Sequence, residues 1–178
     1  MSMSRSVEKL YNIADNYHAS RLHSFYKSQE IDAIIDIGSH KGEFITKVVR
    51  DKKVPIFSFE PQKRVREDLK KNTESYNVQS YYDFAVSDFN GEIDLCLNSL
   101  TSTTSLFKSN EDSSWIKFKK ILLGNKLYDG AQKAKVRELD SVLLNNTLSK
   151  FRCILLKIDV EGAEASVLRG AKKLIREY

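Results

Sequence analysis

No run of apolar residues in this chain is long enough to span a bilayer, and no basic-then-apolar leader opens it. We therefore expect a cytoplasmic protein with no membrane partner. Cysteine is scarce: Cys96 and Cys153 are the two present, both in apolar, strand-like stretches. Two cysteines do not make a disulfide framework, and both are expected as reduced core residues. The three histidines, His18, His23 and His40, stand at no spacing from the cysteines that suggests zinc. A clustered basic stripe is missing as well. The net charge of +5 comes from 29 Lys and Arg scattered among 24 Asp and Glu, which reads as a solvated surface and argues against a nucleic-acid partner. There is no internal repeat and no low-complexity segment. What remains is an ordinary globular composition, 41% hydrophobic and 30% charged over 178 residues, enough for one domain with a real core.

The chain is organised around Ile34-Ile35-Asp36-Ile37-Gly38-Ser39-His40-Lys41-Gly42-Glu43-Phe44. It opens as a β-branched apolar run, the mark of a strand buried on both faces. It turns through Gly38 and Gly42 and resumes as a helical pattern with Phe44, Ile45, Val48 and Val49 on one side, from about Gly42 to Asp51. Strand, glycine turn, helix is the opening of a nucleotide-binding α/β domain, because small residues let backbone N–H groups approach a ligand. The same spacing also occurs in plain βα connections, so both readings stand at this point.

Residues 1–30 form a helical segment, with Val7, Leu10, Tyr11, Ala14, Tyr17, Leu22 and Phe25 at amphipathic spacing over Ser4–Lys27, as one helix or two. Packing explains that face by default; closure of a site by Tyr11 or Tyr17 is the alternative. The first strand is Ala33–Ile37. Val54–Phe59 is the second and ends at Glu60-Pro61, where proline stops the ladder. Glu60 lies 24 residues after Asp36, one βαβ unit away. An acid there accepts hydrogen bonds from the ribose hydroxyls of an adenosine; the alternative is a solvated turn. Arg64–Ser75 reads as a polar helix with Val65 and Leu69 inward and Arg64, Lys70 and Lys71 in solvent. Val78–Val86 is the third strand, Ser87–Gly91 a turn, and Glu92–Leu97 an antiparallel strand. Over 98–130 the pattern loosens into a hydroxyl-rich loop (Asn98–Ser105), a helix face of Trp115, Phe118 and Leu122, and breakers at Gly124 and Gly130. Such an excursion reads as a lid over an acceptor or as a disordered insert. Lys135–Leu139 is a short strand, after which Asp140 caps a helix to Leu144. Cys153–Asp159 is the fourth core strand, and an amphipathic helix with Val167, Leu168, Ala171, Leu174 and Ile175 follows.

Five segments together resemble the FkbM family of S-adenosylmethionine-dependent methyltransferases: Asp36–Gly42, Phe59-Glu60-Pro61, Ala85-Val86-Ser87-Asp88, Glu138-Leu139-Asp140 and, most specifically, Leu156-Lys157-Ile158-Asp159-Val160-Glu161-Gly162-Ala163-Glu164. They come in the family order across about residues 33–172. Ser39 and His40 stand where the family commonly has Ala and Asn. The resemblance implies an α/β, Rossmann-like class I methyltransferase sheet with helices on both faces, strand order 3-2-1-4-5-7-6, over residues 31–178. Only strands 1 to 4 and the helix after strand 4 can be placed, so the sheet is expected to be truncated there. An uncovered fourth strand favours association of copies, a homo-oligomer.

The resemblance also implies the site. S-adenosylmethionine is the expected cofactor, held by Asp36, Gly38, Ser39, His40, Gly42, Glu60, Pro61, Asp83, Ala85 and Asp159. The acceptor is expected to be a small molecule with a hydroxyl, on a saccharide or natural product. A hydroxyl needs a base, and Asp159 is the candidate, supported by Glu161 and Lys157. Asp159 and Glu161 also form a candidate Mg²⁺ site, and both suit the N-terminus of the following helix as caps. Three readings are carried forward. They are an active O-methyltransferase, a non-catalytic nucleoside-binding or assembly module or inactive fragment, and a nicotinamide oxidoreductase. Against the last, the turn lacks the Gly-x-Gly-x-x-Gly that seats a pyrophosphate.

Overall fold

The structure, a computed structural model, describes residues 5–51, 53–97, 130–143, 147–160 and 162–178, with the backbone alone described for 5–15, 96–97 and 130–131. The expected lid region over 98–129, the end of the helix at Leu144 and Glu161 lie outside the described residues.

Four parallel strands make the main sheet: β1 (Ala33–Ile37), β2 (Ile56–Phe59), β3 (Val78–Tyr82) and β7 (Ile154–Ile158), in the order β3-β2-β1-β7. This is the order expected for strands 3-2-1-4. Every residue of β1 and β2 is buried, as their unbroken apolar runs require of central parallel strands. Their side chains divide by parity. Ala33, Ile35, Ile37, Phe57 and Phe59 face one core, completed by Leu139, Leu143, Val167, Ala171 and Leu174. Ile34 and Ile56 face the other, with Tyr26, Ile45, Val48, Val49 and Leu69. The second core is covered by α1 (Arg5–Ser28), by a π-helical turn α2 (Ile45–Val49) and by α3 (Lys63–Asn72). The first is covered by α4 (Leu139–Leu143), α5 (Glu164–Gly170) and α6 (Lys172–Glu177). Helices on both faces of a parallel sheet make a doubly wound α/β domain.

A second sheet, β4-β6-β5, stands beside the first. It contains β4 (Ala85–Val86), β5 (Gly91–Leu97) and β6 (Gly130–Arg137). β5 and β6 form an antiparallel ribbon, and β6 runs parallel to β4. Opposite charges face each other across the ribbon's outer side, Glu92 with Lys135 and Asp94 with Lys133.

Val78–Val86 is two strands in two sheets. The chain leaves the first at Tyr82 because Phe84 folds back onto Phe59, ring centroids 5.6 Å apart, and onto Tyr82 at 5.4 Å. The strand expected at Lys135–Leu139 is the end of β6, which starts at Gly130 and stops at Arg137, and Leu139 begins a helix. The helix after the glycine turn is π-helical over Ile45–Val49. The N-terminal segment is a single helix whose Tyr17 and Phe25 are exposed. Cys153 is free and exposed, since it precedes β7 at the sheet's amino edge, where it pairs with Asp32 in both directions. No described helix is long and apolar enough to cross a membrane.

Asp140 also caps, but not its own helix. It sits inside the first turn of α4, and its carboxylate accepts the backbone N–H groups of Lys173 and Leu174 at 2.9 and 3.0 Å, the free donors at the start of α6. Asp140→Ala should therefore cost about 1–2 kcal/mol, a lost helix cap. Urea unfolding should show a lower midpoint with an unchanged slope.

Candidate functional site

The parity that divides the cores also sets one polar row. Ser58, Asp36 and Lys157 are register partners across β2, β1 and β7, one residue before the carboxyl end of each strand. All lie on the same face as Ile34, Ile56 and Leu155. Asp36 has no exposed surface. Burial pushes its carboxyl up from the usual range, while the Lys157 ammonium pulls it back. Lys157 Nζ lies 3.1 Å from Asp36 Oδ1 and 3.8 Å from Asp159 Oδ2, and it donates its hydrogen bond to the Gly38 carbonyl at 2.6 Å. The lysine thus joins strand β1, the turn after it and the end of β7. The Lys157 ammonium is the counter-ion of the buried Asp36 carboxylate.

The turn above this row needs its glycine. Gly38 has φ +75°, and a Cβ there would collide with the Asp159 carbonyl. Gly42, at φ +86°, packs on Leu69 and Thr73, where a Cβ would stand 2.6 Å from Thr73. Ser39 turns inward, donating to the Asp36 carbonyl at 2.7 Å and accepting from Ser58 Oγ at 2.6 Å. His40 is the one described non-glycine residue with positive φ, 48°. That conformation presents its N–H to Glu60 Oε2 at 3.0 Å, while its ring Nδ1 stands 3.0 Å from Glu43 Oε1. Burial alone would raise the Glu43 carboxyl, but the His40 contact and the Lys41 and Glu43 amides hold it below the usual range.

Glu60, at the end of β2, is 4% exposed. Its second oxygen accepts Gln62 N–H at 2.9 Å. Burial raises its carboxyl, and the hydrogen bonds from Gln62 and His40 oppose the rise. Each carboxylate oxygen keeps a lone pair beyond these bonds. Arg66 braces the segment from α3, donating through Nη1 to the Glu60 carbonyl at 2.9 Å and to the Pro61 carbonyl at 3.2 Å. Asp159 follows β7; its N–H bonds the Ile37 carbonyl at 3.0 Å, and its side chain is 74% exposed. It does not cap α5. No side chain caps that helix, which starts from Ala163; Glu164 in its first turn accepts Gly162 N–H, which lowers its carboxyl.

The structure therefore gathers Asp36, Gly38, Ser39, His40, Glu60, Pro61, Lys157 and Asp159 at the carboxyl edge of β2-β1-β7. Gly42 supports the turn from behind. Asp83 is exposed between β3 and β4, and Ala85 belongs to the second sheet. Lys157, expected beside the reacting groups, chiefly neutralises Asp36 and ties down the turn. Arg66 and Ser58 were missed by sequence reasoning. Arg66 had a signal, an arginine in the first turns of the helix that follows an acid–proline stop; Ser58 had one too, a polar residue one step before the end of an apolar strand. Among the described residues no group of three His, Cys, Asp or Glu side chains is arranged to hold a metal, and Glu161 lies outside them.

A parallel sheet wound on both faces, with a glycine turn after β1 and a buried acid after β2, defines a Rossmann-like domain. A family model described as the methyltransferase FkbM domain matches residues 36–178, and the chain belongs to that family. No curated protein and no solved structure matches it.

The Asp36–Lys157 pair gives a stability test. Lys157→Met leaves a buried carboxylate without its counter-ion and should cost about 3–5 kcal/mol. A buried acid raised by desolvation stabilises most fully when protonated and loses that contribution as pH rises through its folded-state titration. The deficit in urea unfolding should thus be smallest in acid. The double variant Asp36→Leu/Lys157→Met should recover most of the loss, because an apolar pair of similar volume replaces the ions.

Proposed function

We propose that the chain is an S-adenosylmethionine-dependent methyltransferase that methylates a hydroxyl oxygen of a small-molecule acceptor, a saccharide or natural product. The observation that carries this reading is the placement of two carboxylates on either side of the β1 turn. Glu60 is buried on the β2 side and Asp159 exposed on the β7 side.

The residues fit the cofactor. Glu60 retains lone pairs for the two ribose hydroxyls, and its rotamer is already fixed by His40 and Gln62. The close approach at Gly38 keeps side-chain bulk out of the turn. His40 Nε2 is buried without a partner among the described residues and is available to a polar group. When bound, the cofactor supplies an electrophilic sulfonium methyl, so the protein's task is mainly alignment. With the cofactor bound, Asp159 would take the acceptor's hydroxyl proton, the methyl passing to that oxygen as its bond to sulfur breaks and the neutral thioether leaves. Lys157 Nζ stands 3.8 Å from that carboxylate. Association of copies belongs to the same reading, since among the described residues β7 pairs on one side only.

Calorimetric titration should show S-adenosylhomocysteine binding, and Glu60→Ala should weaken it by about 1–3 kcal/mol, the cost of stranding polar partners. Because the ligand's hydroxyls need the ionised Glu60, and burial raises that carboxyl, affinity should increase with pH across its titration. Protons should be released on binding at mildly acidic pH, seen as a buffer-dependent heat. Tighter binding of NAD, or no binding, would refute the cofactor. For the chemistry, Asp159→Asn should lower turnover by about 10²–10⁴-fold with little change in cofactor affinity. Full activity in that variant would remove the assigned role.

A further inference from the structure

The ribbon β5–β6 is fixed to the body at its base, where Val136 and Arg137 pair with Ala85 and Val86 and Arg137 accepts Ser87 N–H. Its inward row on β6 is Gln132, Ala134, Val136. Ala134 and Val136 are buried, and Leu95 lies opposite Gln132. Gln132 is thus a polar residue in an apolar row, four residues or about 14 Å along the strand from the base. Its Nε2 donates to the Pro61 carbonyl at 3.1 Å, across 71 residues of sequence. That carbonyl also accepts from Arg66, which at the same time holds the Glu60 carbonyl. Gln132 therefore reaches the backbone segment that aims the Glu60 carboxylate.

We propose that Gln132 is a positioning residue that makes the β5–β6 ribbon one wall of the cofactor cleft, coupling occupancy at Glu60 to the order of the ribbon. The inference rests on the cofactor reading above. Coupling of this kind is reciprocal: a ligand that steadies Glu60-Pro61 steadies the ribbon by the same factor that a docked ribbon adds to affinity. One hydrogen bond sets the scale, so the factor is about 2- to 10-fold.

The test is hydrogen exchange of the full chain with and without saturating S-adenosylhomocysteine, alongside calorimetry. In the wild type, ligand should slow exchange of amides in 91–97 and 130–137. Gln132→Met, similar in length and without the amide, should bind about 2- to 10-fold more weakly and lose the ligand-dependent protection of the ribbon. Its unliganded β1, β2 and β7 amides should exchange as in the wild type. Gln132→Ala should behave the same way, which guards against a folding defect peculiar to one variant. If the wild type does not bind S-adenosylhomocysteine, the cofactor reading falls and this inference with it. If it binds and the ribbon is not protected, or is protected equally in both variants, the inference alone is overturned. A merely structural Gln132 would lower stability without removing the ligand-dependent difference.

Discussion

A carboxylate with no exposed surface lies under the β1 turn, and an ammonium on the next strand stands 3.1 Å from one of its oxygens. The rest of the site depends on that pair. Without Lys157, Asp36 would face the full cost of a buried charge and would go neutral. Without Asp36, the lysine would have no reason to lie inward, and its hydrogen bond to the Gly38 carbonyl would lose its anchor. The pair also explains why Gly38 can press against the Asp159 carbonyl: β1 and β7 are drawn together where the turn leaves the sheet. Lys157 thereby sets the height of the turn and the position of Asp159 at once.

On the other side of β1, Glu60 works through hydrogen bonds to the backbone. It takes one N–H from the β1 turn and one from the start of α3, so the two loops that border the cleft share a single carboxylate. The strained backbone of His40 makes that geometry available, and Arg66 and Gln132 hold the carbonyls behind it. The result is a preorganised carboxylate, most of whose ordering cost is met during folding, before any ligand arrives. A methyl transfer that needs alignment more than acid–base power suits such a preorganised floor with one exposed carboxylate, Asp159, at its open end.

Much of this was legible in the sequence. Ile-Ile-Asp-Ile, Phe-Ser-Phe and Leu-Lys-Ile each interrupt an apolar strand with a polar residue one step before its end. Strand parity then puts Asp36, Ser58 and Lys157 side by side, and the first four strands fall in the expected order. The family resemblance was correct over most of the chain. What sequence could not supply were partners distant along the chain. Val78–Val86 reads as one strand until Phe84 meets Phe59 and Tyr82. Asp140 looks like a local cap, but its donors are in a helix more than thirty residues later. Cys153 looks like core because its run is apolar, yet burial in β7 starts one residue further on and is partial, since β7 pairs on one side only among the described residues. Gln132 is an unremarkable polar residue until its amide is seen at Pro61.

The central claim is that one ligand lies across the β1 turn, from Glu60 on the β2 side to Asp159 on the β7 side. A crystal structure of the protein with S-adenosylhomocysteine tests it most directly. Both ribose hydroxyls should lie on the Glu60 carboxylate, the sulfur over the Gly38 turn and Asp159 beside it, with the Asp36–Lys157 pair intact below. A nucleoside bound elsewhere, or bound here in the reverse direction with its sulfur toward Glu60, would contradict it.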